Sequence, residues 1–155
     1  MRILAVCAGN ICRSPAAEAA IREAATAAGV DVETDSAGTG SWHIGQPPHP
    51  ESVAAGDRAG LNVVGRARKV TAADFDRFDI ILAMDRANLR DLDELAPSRE
   101  AQARTRLFRT YDPAATSDEV PDPWGGPEAS YDETIRIVRA AAIGLVAEML
   151  EHSRL

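Results

Sequence analysis

The chain has 155 residues, 45% of them hydrophobic, enough for one globular domain with a buried core. Its formal charge of −7 argues against binding nucleic acid or an anionic membrane through bulk charge, so any anion it takes must be drawn in by a local site. Cys7 and Cys12 stand too close together to staple a fold, and neither the MRILAV start nor any later run has the form of a signal peptide or membrane span, so the expectation is a cytoplasmic protein with a single domain over 1–155.

In chain order, Ile3 to Val6 is an unbroken apolar run, which predicts a strand buried on both faces. Cys7 to Arg13 reads as a loop. Ser14-Pro15 reads as a helix opening, with Ser as cap and Pro suited to the first turn. The Ala-rich run from Ala16 to Ala28 predicts a helix stopped by Gly29. Val30 to Ala37 reads as a second strand, and Gly38 to Pro50 as a long exposed loop. Glu51 to Ala59 reads as a helix ended by Gly60. Thr71 to Phe75 reads as a short helix with Thr71 as cap and Asp74 in the capping-box position. Ile80 to Met84 is a third buried strand, Asp85 opens a helix through Leu95, and Arg106 to Phe108 is a fourth strand. Tyr111 to Gly126 is a second long loop. Tyr131, Ile135, Val138, Ala142, Leu145 and Met149 mark the core face of a long final helix. This alternation predicts an α/β fold with a four-stranded parallel sheet and helices on both faces, a three-layer flavodoxin-like or Rossmann-like arrangement. Ligands of such folds bind at the carboxyl ends of the strands, where the loop from Cys7 to Arg13 leaves the first strand.

That loop reads Cys7-Ala8-Gly9-Asn10-Ile11-Cys12-Arg13-Ser14. A helix start offers unpaired N–H groups and partial positive charge, and a tight Gly/Asn loop turns its own N–H groups inward around an anion. Gly9 and Asn10 are the types that tolerate left-handed backbone. Arg13 adds a planar fork matched to two phosphate oxygens. All of these favour thiolate at Cys7, poised beneath a bound phosphate for in-line attack. A phosphomonoester also needs an acid for its leaving oxygen. Asp122, between Pro121 and Pro123 and beside Trp124, fits that role if an apolar pocket keeps it protonated. Trp42 and Trp124, on the two long loops, would wall a slot for a flat aryl group.

Each feature has a plainer reading on its own. A cysteine is often a small buried hydrophobe, and Cys12 reads as packing. Asp122 alone is a turn aspartate, Asp85 a helix cap, and the tryptophans partly buried packing residues. His43 and His49 read as surface loop histidines. The weight comes from the combination.

In that combination the chain resembles the low-molecular-weight protein tyrosine phosphatase family over nearly its whole length. The resemblance rests on Cys7 to Ser14 with Pro15 and Glu18, Asp35-Ser36-Ala37-Gly38-Thr39, Trp42-His43-Ile44-Gly45, Phe78 to Asp85, and Asp122-Pro123 with its following aromatic. It implies that Cys7 forms a phosphocysteine, that Arg13 binds the phosphoryl group, and that Asp122 protonates the leaving phenol and then activates water. Asn10 would hold the loop shape with Ser36, and Ser14 would hydrogen-bond the Cys7 sulfur. Cys12 would form a reversible disulfide with Cys7 under oxidation. Ala8, Gly9, Asn10, Ile11, Cys12, Ser14, Trp42 and Trp124 are thus expected to bind substrate, with Ser36 and Asp85 in support. No metal or organic cofactor is expected, and the implied partner is a phosphotyrosine protein, with a bacterial tyrosine kinase as one candidate and the enzyme itself a monomer.

The departures from the family pattern are specific. Ala8 stands where a larger residue is common, which opens the pocket mouth. Trp124-Gly125 replaces a pair of tyrosines, removing both a second aromatic wall and the phosphorylation sites. Gly65 falls where some members carry a His near Arg68, removing a supporting hydrogen bond. Two other functions compete. A thiol-dependent arsenate reductase needs further cysteines after the third strand, and Met84 to Leu95 has none. A non-catalytic phosphopeptide binder has no use for Asp122.

Overall fold

Residues 1–153 are described by the structure, a computed structural model. The apolar run Ile3–Val6 forms the middle of strand β1 (Arg2–Cys7), with each of its four residues at most 1% exposed. β1 pairs on one side with β2 (Glu33–Gly38) and on the other with β3 (Ile80–Ala83), which pairs with β4 (Thr105–Leu107). All pairings are parallel and the strand order is β2-β1-β3-β4. Six α-helices alternate with these strands: α1 (Arg13–Ala28), α2 (Pro50–Ala59), α3 (Asp74–Arg77), α4 (Arg86–Leu95), α5 (Arg99–Gln102) and α6 (Glu128–Ser153).

Side chains alternate across a sheet, so β1 feeds two cores. Ile3, Ala5 and Cys7 pack with α1, α2 and α6, while Leu4 and Val6 pack with Phe75, Phe78, Leu92 and Ala101 of the α3–α5 side. Burying each large aliphatic of this set contributes about 1.5–3 kcal/mol, and this is the main force holding the helices against the sheet. The stripe expected on α6 is real: Tyr131, Ile135, Val138, Ala142 and Leu145 are buried, and Met149 packs at the margin. Where α6 crosses the 3₁₀ turn Phe108–Tyr111, only glycine fits. A Cβ on Gly144 would lie 1.9 Å from the Tyr111 carbonyl oxygen. No helix among the described residues is long and apolar enough to cross a membrane.

Several element boundaries differ from the sequence reading. α1 starts at Arg13 with Cys12 at its cap position and no side-chain cap; Ser14 lies inside the helix, because its hydroxyl is engaged with Cys7 instead. β2 starts at Glu33 rather than Val30, because Gly29 turns left-handed and the Val30 N–H bonds back to the Ala25 carbonyl to close α1. α2 starts at Pro50, capped by the His49 side chain. The short helix expected at Thr71–Phe75 is α3, three residues later. Asp74 accepts from the Thr71 N–H as a capping-box acid would, but Thr71 does not cap the helix. Met84 leaves β3 while its N–H still donates to Val6. The short α5, capped by Ser98, has too few apolar positions to show a period, and β4 ends at Leu107 because Phe108 enters the 3₁₀ turn.

Candidate active site

β1 and β3 are neighbours whose carboxyl ends lead in different directions, into α1 and into α4, and the crevice between them is where such folds bind ligands. Cys7 is the last residue of β1 and is 3% exposed. The chain turns back over it at Asn10, whose φ of 58° makes it the sole non-glycine residue in the left-handed region among those described; Gly9 is not left-handed. This turn brings the Asn10 N–H onto the Cys7 Sγ at 3.2 Å. The Ser14 hydroxyl, on the second residue of α1, lies 3.0 Å from the same sulfur.

The Asn10 side chain is the scaffold of the loop. Its Nδ2 donates to Ser14 Oγ at 2.8 Å and to Ser36 Oγ at 3.0 Å, and its Oδ1 accepts from the Arg68 N–H at 2.9 Å. Ser14 Oγ accepts from Asn10, and its one proton faces two acceptors, the sulfur at 3.0 Å and the more distant Ala37 carbonyl at 3.5 Å. Arg68 is fixed in turn by a bidentate pair with Asp74 and a contact with Asp35. Behind Ser36 stands Glu18. Burial pushes its carboxyl above the ordinary range, against the lowering effect of the Ser36 hydroxyl and of Arg22.

Arg13 opens α1 and is 3% exposed. Its Nη1 donates to Asp85 Oδ2 at 2.6 Å and to the Val120 carbonyl at 3.1 Å. Asp85 therefore does both things that were in competition: it caps α4 through the Asn88 N–H and it orients Arg13. Burial works against the Arg13 charge, but Cys7, Asp85 and Asp122 outweigh it and hold the guanidinium above its usual value. Val120 ties the second long loop to the sheet, since its N–H donates to Met84 at 2.7 Å. Two residues on, Asp122 Oδ2 lies 3.9 Å from Arg13 Nη2, and its Oδ1 accepts from the Trp124 N–H at 3.1 Å. The apolar pocket expected around Asp122 is not present: its side chain is 52% exposed and faces a guanidinium. The flanking prolines restrict the backbone on both sides of it, and it lines the pocket beside Trp124.

These groups surround a pocket of about 180 Å³. Its floor and sides are Cys7, Ala8, Gly9, Ile11, Cys12 and Arg13, and Trp42, Asp122 and Trp124 form the rim. Two of the residues expected to touch substrate do not line it: Asn10 and Ser14 are buried behind the loop, with their side chains committed to holding its shape. Cys12 lines the pocket, but burial, with Cys7 and Asp122 adding, pushes its thiol up to about 12, so beside a reduced Cys7 it rests as the neutral thiol and does not compete for phosphate. Gly125 sits at φ 76°, which suits glycine and would strain a tyrosine.

Sequence reasoning missed two histidines. His43 lines the pocket, with its ring centroid 5.7 Å from that of Trp124. His49 is half-buried, 5.2 Å edge-on to Trp124 and stacked at 5.5 Å on Tyr131. Position just before Pro50 was a local sign of a helix cap at His49, but nothing local announces its ring partners. Among the described residues no group of three or more His, Cys, Asp or Glu side chains is placed to hold a metal ion.

Comparison with known proteins places this geometry. The family model described as low molecular weight phosphotyrosine protein phosphatase matches residues 2–154. A low molecular weight protein-tyrosine-phosphatase of Streptomyces coelicolor is 42% identical over 154 residues, covering 97% of this chain and 94% of its own. A low molecular weight phosphotyrosine protein phosphatase of Schizosaccharomyces pombe is 39% identical over 142 residues, 89% of this chain and 90% of its own. The crystal structure of a protein tyrosine phosphatase from Entamoeba histolytica superposes with a TM-score of 0.94 at 34% identity, covering 100% of this chain and 99% of that one. With a family match along nearly the whole chain, and with the cysteine loop, arginine and aspartate meeting at one crevice, the chain belongs to the low molecular weight phosphotyrosine protein phosphatase family.

Proposed function

We propose that the protein hydrolyses phosphotyrosine in protein substrates, and small aryl phosphates likewise, through a phosphocysteine on Cys7. The observation that carries this reading is the meeting of Cys7, Arg13 and Asp122 on one small pocket, with Asp122 held 3.9 Å from the Arg13 guanidinium. The Entamoeba relative has Hepes, whose sulfonate is a tetrahedral oxyanion, in its active site.

In the first step a sulfur electron pair of Cys7 attacks phosphorus and the phosphorus–aryl oxygen bond breaks. Asp122 gives its proton to the departing oxygen, which leaves as a phenol. Arg13 and the loop N–H groups meet the charge on the equatorial oxygens. In the second step water attacks the same phosphorus, its proton passes to the Asp122 carboxylate, and the sulfur–phosphorus bond breaks. Inorganic phosphate leaves. Throughout, the Asn10 N–H and the Ser14 hydroxyl are the donors that stabilise negative sulfur. Trp42 and Trp124 give the slot an aromatic rim, which favours tyrosine over serine phosphate. A phosphopeptide binder would need Arg13 and the loop but not an aspartate aimed at the leaving oxygen.

The test is substitution. Cys7→Ser abolishes turnover of an aryl phosphate without added metal while phosphate still binds, and Asp122→Ala slows turnover by about 10²–10⁴. Full activity in Cys7→Ser overturns the mechanism. The partner we propose to assay first is a bacterial tyrosine kinase bearing its own phosphotyrosines, with this enzyme acting as a cytoplasmic monomer. We also propose Cys12 as the redox partner of Cys7. Peroxide inactivation should be reversed by dithiol in the wild type and be largely irreversible in Cys12→Ser.

A further inference from the structure

Trp124 is 55% exposed and sits on a loop, yet its backbone N–H donates to the Asp122 carboxyl at 3.1 Å, closer than the 3.9 Å contact of that carboxyl with Arg13. That bond ties the Asp122 carboxyl to the position of the Trp124 backbone. Among the described residues the rings packed against the indole are those of His43 and His49. Apart from that ring contact, His43 has one side-chain hydrogen bond, to Gln46 on its own loop. His49 is fixed from several directions. Its N–H donates to the Ile11 carbonyl of the phosphate loop at 2.8 Å. Its Nδ1 accepts from the Glu51 N–H at 3.1 Å, at the start of α2. Its ring face stacks on Tyr131, which is 2% exposed and anchored in α6, and the Gly125 backbone faces the Tyr131 hydroxyl. Its edge meets Trp124 at an interplanar angle of 79°. One residue thus joins four parts of the fold: its backbone the phosphate loop, and its ring α2, α6 and the aspartate loop.

We propose that His49 is a positioning residue for leaving-group protonation: its ring holds Trp124, and through Trp124 the Asp122 carboxyl, over the phosphate loop. The inference rests on Asp122 being the acid, as set out above. An aromatic contact of this kind biases a two-position equilibrium by about 2–10-fold, which sets the size of the effect.

The experiment measures kcat/KM, which reports phosphocysteine formation, on two substrates. Phenyl phosphate has a poor leaving group that needs a proton, and 2,4-dinitrophenyl phosphate has a good one that does not. Asp122→Asn is run first and should lose far more on phenyl phosphate. An equal loss on both overturns the acid reading, and the His49 inference with it. His49→Asn keeps an acceptor for the Glu51 N–H and removes the ring, so α2 stays capped. It should lose about 2–10-fold on phenyl phosphate and less than about twofold on the dinitrophenyl ester. His49→Phe restores the ring without the acceptor. It should recover most of the phenyl phosphate loss while melting at a lower temperature than wild type. If Asp122→Asn behaves as expected but His49→Asn matches wild type on phenyl phosphate, or loses the same factor on both substrates, the positioning role is overturned. Should His49→Asn not fold, Trp124→Ala must show the same split between substrates, and its absence overturns the proposal equally.

Discussion

Asn10→Ala is the sharpest test of how the phosphate loop is built. The substitution removes three side-chain hydrogen bonds, to Ser14, Ser36 and the Arg68 N–H, at a residue only 2% exposed. At about 1 kcal/mol net each, these come to roughly 3 kcal/mol. It also places alanine at φ 58°, where asparagine is tolerated and a Cβ with no local hydrogen bond costs about 1 kcal/mol more. The total is about 4 kcal/mol, a large share of the 5–15 kcal/mol that holds a typical domain together. Asn10→Gly loses the same three bonds but not the backbone penalty, so it should be destabilised by about 3 kcal/mol. Urea unfolding at equilibrium reads both values, with the midpoint moving and the slope unchanged. Both variants should lose at least about tenfold in kcat/KM on an aryl phosphate, because the same loop aims N–H groups at the sulfur and the phosphate. A loss under about 1.5 kcal/mol for Asn10→Ala, or an Asn10→Gly no more stable than Asn10→Ala, would refute the account of a loop shaped by this one side chain.

Three further outcomes follow from separate features. Asp85→Asn keeps the cap of α4 but withdraws the charge on Arg13, so thermal stability should change little while kcat/KM falls by about tenfold; an Asp85→Ala variant should lose about 1 kcal/mol more in stability through the missing cap. Gly144→Ala should destabilise by about 1–3 kcal/mol, despite the better helix propensity of alanine, because the Tyr111 carbonyl in its way is backbone. Glu18→Gln tests the buried carboxyl. A raised native value makes the wild type bind an extra proton on folding, so its stability is full below the ordinary Glu value of 4.5 and declines as pH rises through the raised one. The glutamine variant should therefore match wild type near pH 4 and exceed it at pH 7 in urea titrations. A variant less stable at pH 7 would show that the pairing of Glu18 with Arg22 outweighs its desolvation.

Much of the site was legible because it is local. Cys7, Asn10, Arg13 and Ser14 lie within eight residues, between a strand and a helix that each announce themselves, and the geometry follows from joining the two. Asp122 was legible through its prolines, though its surroundings were not. Exposure is set by which loops meet, and the Trp42 and Trp124 walls leave the carboxyl open to water. Ser14 shows the limit of local rules. Its sequence fits a helix cap, but a buried sulfur 3.0 Å away claims the hydroxyl. His49 shows the same limit at longer range, since its ring partners lie 75 and 82 residues down the chain. Boundaries such as those of β2 and α3 moved because backbone closure after Gly29 and the Arg68–Asp74 pair, not side-chain pattern, fix where the elements begin.

The anchoring of Val120 has a consequence for how this enzyme can vary. One backbone unit is gripped on both sides, its N–H by Met84 and its carbonyl by Arg13, so the aspartate loop is re-registered to the sheet just before Asp122. Upstream, Pro113, Ala114, Thr116 and Ser117 are exposed. Changes of length there are absorbed before they reach Val120, and each added residue costs little in loop entropy. The stretch is a place where the fold can acquire insertions, tags or docking peptides without shifting the acid relative to the nucleophile.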